Sequence, residues 1–302
     1  MEFLRGFLPF ALLLAPYILF STERALSWFR DFISGSFPRK LLLPVYLLLI
    51  YAVFSFWDHR FDGTLLLKLS LWTILPALLF SFDILNDHPL YPKEFAAALL
   101  LWLPIELGQL PGFDIKFSEG IQIPALAFAA PVLGLYLFAV LRNLPDIGYN
   151  FRWRLSDLKP VALSLLVLAC LLIPLGVHSG FIRFSSFDTP PAKMVELVFG
   201  IYFLNALPEE LLFRGIIQNL FAKVFAEFSQ AKWIALILAS AIFGLSHYNN
   251  FNPPDWRYVY LAALAGLFYG WTYIKTGKTS VSALVHTGVN VLWAVLFKDT
   301  GG

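Results

Sequence analysis

Long apolar runs, separated by short polar stretches, fill most of the chain. The candidate runs are Leu4–Phe20, Leu41–Phe56, Leu65–Ile84, Phe95–Leu107, Ile121–Leu141 and Val161–Val177. They are followed by Met194–Leu207 (continuing toward Phe225), Ala231–His247, Trp256–Ile274 and Ser280–Phe297. A helix needs about 20 apolar residues to cross a bilayer, or about 17 at the short end. The pattern therefore predicts an all-α, polytopic transmembrane helical bundle of about eight to ten spans. Phe95–Leu107 is short and carries Pro104 and Glu106, which fits a re-entrant segment. Leu4–Phe20 is read as a retained first span, because no small-x-small cleavage site precedes Glu23 and Arg24.

Composition agrees with this pattern. Of 302 residues, 59% are hydrophobic and 14% charged, with 31 Phe and 9 Trp. An average soluble domain is about 25% charged. These values exclude disorder and an ordinary cytosolic enzyme. A net charge of +2 leaves no nucleic-acid partner to expect. The single cysteine, Cys170, allows no intramolecular disulfide or thiolate cluster and reads as a small packing residue. Arginines and lysines gather in 21–40 and 142–159, which the positive-inside rule puts on the cytoplasmic side. The expected location is a bacterial-type plasma membrane, as an integral multi-pass protein.

The segment His178–Lys193, with Pro190 and Pro191, is the best internal boundary. It separates N-terminal spans of unknown role, 1–190, from a segment 191–302 in which ionisable residues enter the apolar runs. A charge at bilayer depth costs about 2.5–3.5 kcal/mol on insertion scales, so such residues mark candidate sites.

Three clusters stand out. In Leu207-Pro-Glu-Glu-Leu-Leu-Phe-Arg-Gly215, Pro208 suggests that a helix restarts with Glu209 and Glu210 at its positive end. Glu210 and Arg214 are i,i+4, so Arg214 can neutralise Glu210 while Glu209, about 100° around the helix, stays free. In Phe243-Gly-Leu-Ser-His247, Phe243 shares a face with His247 and can shield the imidazole. In His286-Thr-Gly-Val-Asn290, an imidazole and a carboxamide point the same way, and Gly288 lets a neighbouring helix approach. Taken alone, the first cluster also fits two acids at a helix N-terminus with one salt bridge, the second an interfacial histidine at a helix end and the third a pair of interhelical hydrogen bonds, and Gly266 with Gly270 is read as helix packing. Together they offer an acid and an imidazole to deprotonate water, with a further imidazole and an amide to hold an oxyanion. Glu209, His247 and His286 are also a donor set that zinc accepts, so a divalent metal stays open.

Glu-Glu-x-x-x-Arg, Phe-x-x-x-His and His-x-x-x-Asn, in this order on successive membrane helices, resemble the CPBP family, which includes the CAAX prenyl endopeptidases and bacteriocin-processing or immunity proteins. The resemblance covers about 195–297 and implies an intramembrane endopeptidase acting on a membrane-associated or lipidated protein or peptide. It makes Glu209 and His247 the water-activating pair and His286 and Asn290 the oxyanion site, with Glu210, Arg214 and Phe243 in support. A metal-free, glutamate-activated water is the expected mechanism. A non-catalytic immunity or binding protein of the same fold is the main alternative, and a transporter is a third.

Overall fold

The computed structural model describes residues 2–82, 88–110, 113–118, 121–185 and 190–299. Ile84, the expected end of one apolar run, and 186–189 of the expected boundary lie outside the described residues. The chain forms two compact units, Met1–Pro145 and Asp146–Gly302. The second unit therefore begins well upstream of the motif-bearing segment 191–302.

The first unit contains α1 (Glu2–Leu19), α2 (Glu23–Ile33), α3 (Leu42–Trp57), α4 (Gly63–Ser81) and α5 (Pro92–Glu106). The hairpin β1 (Asp114–Ser118) and β2 (Ile121–Pro124) and the helix α6 (Leu126–Leu135) follow, α6 running on as a π-helix over Tyr136–Leu141. Two helix starts are set locally. Thr22 accepts from the Ala25 amide at 3.3 Å to cap α2, and Asp62 accepts from the Thr64 amide at 2.7 Å to cap α4. The stretch 21–40, expected as a loop, contains α2, which bends 99° from α1. The run expected from Ile121 begins in β2 instead, where strand pairing to β1 satisfies the backbone.

The second unit opens on α7 (Leu158–His178) and β3 (Ile182–Phe184). A long helical segment follows: α8 (Pro191–Gly200), α9 (Leu207–Glu210) and α10 (Asn219–Val224), joined through π-helical Ile201–Ala206 and Leu211–Gln218. It ends with α11 (Ala231–Leu245), α12 (Trp256–Thr276), α13 (Thr279–Leu296) and β4 (Phe297–Asp299). Asp255 caps α12 by accepting from the Arg257 amide at 2.9 Å, and Gly277 ends it at φ 66°, a conformation that favours glycine. Helix α7 packs on α12 and α13. Ser164 and Thr272 are hydrogen-bonded at 2.8 Å, and a Cβ on Gly288 would stand 2.6 Å from Leu165, so the glycine permits the close approach. Strand β3 pairs antiparallel with β4 over an apolar cluster around Phe181.

The protein is an integral membrane protein with an all-α, polytopic architecture. All the expected apolar runs are helical over most of their described length. Among the described residues, five helical stretches are long and apolar enough to cross a membrane: Pro38–Trp57, Gly63–Ser81, Leu155–His178, Ala231–Asn250 and Thr279–Leu296. The bent pair α1–α2 brings the number to six if it counts as one span. That is fewer than the eight to ten expected, for physical reasons. Helix α5 has 15 residues and rises about 22 Å, short of a hydrocarbon core of about 30 Å. Helix α12 has 21 residues, but its Arg, Lys, Tyr, Thr and Gly content dilutes the apolar character. Cys170 is exposed on α7 rather than packed inside, because that stretch is only 17% buried and presents most of its surface outward.

Candidate active site

Glu209 and Glu210 sit on one uninterrupted helical path, not at a fresh helix start. Ala206, Leu207, Glu210 and Leu211 all have right-handed helical dihedrals, so the expected restart at Pro208 is absent. The wider π turns flanking α9 tolerate the missing Pro amide, since their hydrogen-bond ladder is already shifted by one residue.

The two neighbouring glutamates have different surroundings. Glu210 is fully buried and accepts three bonds: from Arg214 Nε at 3.1 Å, Ser282 Oγ at 2.6 Å and His286 Nδ1 at 3.0 Å. Glu209 is 29% exposed and accepts one, from Asn205 Nδ2 at 2.7 Å. Its second oxygen, Oε2, has no hydrogen-bond partner among the described residues and lies 3.9 Å from His286 Nε2. The carboxylate that Arg214 neutralises is thus bonded on both oxygens, while Glu209 keeps one oxygen bare.

Arg214 is fully buried. Its guanidinium carbon is 5.0 Å from the Phe243 ring centre and 6.0 Å from that of Tyr269, so aromatic faces receive the charge that Glu210 does not. Gly266 makes room: a Cβ there would be 3.1 Å from Phe243 and 3.3 Å from Arg214 Nη2.

His286 is buried, with Tyr269 stacked on it at 4.6 Å and 14°. Its Nδ1 faces a carboxylate, which only accepts, so Nδ1 carries a proton. Nε2 is then a bare acceptor in the neutral ring and a donor in the imidazolium. His247, just past the end of α11, has Nδ1 2.8 Å from the Phe243 carbonyl oxygen. A carbonyl also only accepts, so in the neutral ring Nε2 of His247 has its lone pair free. Among the described residues His247 makes no hydrogen bond to Glu209, His286 or Asn290. The ring of Phe243 stands by both imidazoles, 4.7 Å from His247 and 5.6 Å from His286.

Asn290 donates through Nδ2 to Asn205 Oδ1 at 2.9 Å. His247, His286 and Asn290 share the wall of an apolar cavity of about 80 Å³ between α7, α12 and α13, lined also by residues such as Leu165, Leu172 and Trp293. Among the described residues no group of three or more His, Cys, Asp or Glu is gathered closely enough to hold a metal ion. Glu209, His247 and His286 therefore do not fit a metal-ligand set in this arrangement.

Sequence reasoning missed Asn205, Ser282 and Tyr269. A signal existed for two of them. Asn205 precedes Glu209 by four residues and Ser282 precedes His286 by four, each a polar residue in an apolar run. Tyr269 carried none, since its place depends on how α12 meets α13.

No curated protein and no solved structure matches the chain. The matched segment of the family model spans α8 to α13 and contains all three motifs. Residues 191–292 match the family of type II CAAX prenyl endopeptidase Rce1-like proteins, so this last third of the chain carries an Rce1-like domain.

Proposed function

We propose that the chain is an intramembrane endopeptidase that hydrolyses a peptide bond of a membrane-associated or lipidated protein or peptide. The observation that carries this reading is the inequality of the paired glutamates: Glu210 is saturated by Arg214, Ser282 and His286, while Glu209 Oε2 is bare. A buried carboxylate oxygen with no partner is costly unless it serves a water or a substrate.

In this reading Glu209 Oε2 takes up one proton of a water as its oxygen attacks the scissile carbonyl carbon, while the free Nε2 of His247 orients that water by accepting a hydrogen bond from its other proton. The carbonyl oxygen becomes an oxyanion. Asn290, which keeps a second N–H beyond the one given to Asn205, donates to it. The Nε2 side of His286 faces the oxyanion and donates to it whenever that nitrogen carries a proton, with Glu210 holding the opposite nitrogen. The proton held by Glu209 then passes to the departing amine, and the peptide C–N bond breaks. Glu210 and Arg214 keep His286 and the helix segment in place, and Phe243 shields both imidazoles. No step is routed through a metal. The Rce1-like match supports a protease of the CAAX type at the level of the family.

The test compares the peptide termini in membranes holding equal amounts of wild type or Glu209→Gln. Termini produced only by the wild type support the reading and identify the substrate. If both proteins fold in their natural membrane and no terminus depends on Glu209, the reading fails and a binding or immunity role takes its place.

A further inference from the structure

We propose that Asn205 is a positioning residue that fixes the water-activating Glu209 and the oxyanion donor Asn290 against each other, an inference that rests on the endopeptidase reading. Asn205 lies in π-helical Ile201–Ala206, against which α13 packs. Its Nδ2 donates to Glu209 Oε1 at 2.7 Å, and its Oδ1 accepts from Asn290 Nδ2 at 2.9 Å. The orientation of the amide is dictated by its neighbours. A carboxylate only accepts, so Nδ2 must face Glu209, which leaves Oδ1 for the Asn290 amide.

This bridge spans two helical segments and links the first and last of the three motifs. It uses one oxygen of Glu209 and one N–H of Asn290. What remains is one free oxygen, Oε2, and one free N–H, the two groups the proposed reaction needs. The bond to Glu209 is charge-assisted and short, so it holds the carboxylate in one rotamer. Without it, both long side chains regain rotamer freedom, and the acid and the oxyanion donor lose their common reference. Asn205 touches no reacting atom in this account. It acts through Glu209 and Asn290, as orienting residues behind a reacting group do.

The test uses Asn205→Ala and Asn205→Leu in membranes of one lipid composition. The leucine keeps about the same size but offers no donor to Glu209 and no acceptor to Asn290. The probe is a synthetic peptide containing a site that the wild type cuts and Glu209→Gln leaves intact. The expected result in both variants is a fall in kcat of about 10- to 100-fold, with KM within about twofold of wild type. A second readout needs no substrate: the infrared carboxyl band of Glu209, identified by its loss in Glu209→Gln, shifts in both variants. An unchanged kcat, a change confined to KM, or an unmoved band overturns the proposal. If the wild type shows no Glu209-dependent cleavage at all, the endopeptidase reading fails separately, and the infrared band alone still decides whether Asn205 positions Glu209.

Discussion

Nε2 of His286 stands 3.9 Å from Oε2 of Glu209. The gap is too wide for a direct hydrogen bond and narrow enough for one water to touch both atoms. On its other side the imidazole is fixed by Glu210 at 3.0 Å, so the ring cannot swing to close the gap without giving up that bond. The separation is thus maintained by the surrounding bonds.

The two glutamates should respond differently to the same change. Glu209→Gln is expected to fold as the wild type does and to lose turnover by at least about 100-fold, the scale of a missing general base. Glu210→Gln removes the counter-charge of a fully buried arginine and is expected to destabilise the protein by about 3–5 kcal/mol. Thermal unfolding in detergent, set beside cleavage of the same peptide, separates the outcomes. Equal unfolding temperatures for the two variants would refute the distinction.

Arg214→Lys is not conservative here. Lysine keeps the charge but loses the planar group that sits over Phe243 and Tyr269 while bonding Glu210 through Nε. A loss of about 1–3 kcal/mol is expected. A lysine variant as stable as the wild type would show that the ring contacts contribute little.

Gly266 is required by volume. Leucine there would meet Phe243 and Arg214, and the expected cost is about 1–3 kcal/mol from overpacking. Because Phe243 also lies against both imidazoles, activity should fall further than stability alone explains. Cleavage rates at a temperature where both forms are fully folded check this.

Asp255, at the start of α12, gives the fold an acid sensitivity. Hydrogen bonds from the Arg257 side chain hold its carboxyl below the ordinary value of 3.8. A depressed carboxyl stabilises the folded state above the unfolded-state value, and that contribution disappears as pH falls through the folded-state value. Asparagine also caps a helix, so Asp255→Asn isolates the charge. The variant should unfold at a lower temperature than wild type at neutral pH, and the two should converge below about pH 4. A difference that persists into acid would contradict the assignment.

Much of this protein was legible before any tertiary structure. The apolar runs gave the helices because a backbone in lipid must bond to itself, and helices do so locally. The i,i+4 relation of Glu210 to Arg214 gave their ion pair, since helical neighbours need no tertiary information. The same rule gave Phe243 beside His247. The motifs also marked the Rce1-like segment.

What tertiary packing alone decided concerns pairs far apart in the chain. The bond from His286 to Glu210 joins residues on different helices, and no periodicity announces it. The bond from Asn290 to Asn205 is a meeting of that kind, set by how α13 lies on the π-helical segment, whereas Asn205 and Glu209 are i,i+4 neighbours on one helical path. The fate of Pro208 also lay beyond local rules: a proline that commonly starts a helix sits here inside one, because π turns on either side absorb its missing amide. The sequence determined which side chains enter the membrane segment with polar atoms. The packing of the helices determined which of those atoms are bonded, and it left Glu209 Oε2 bare.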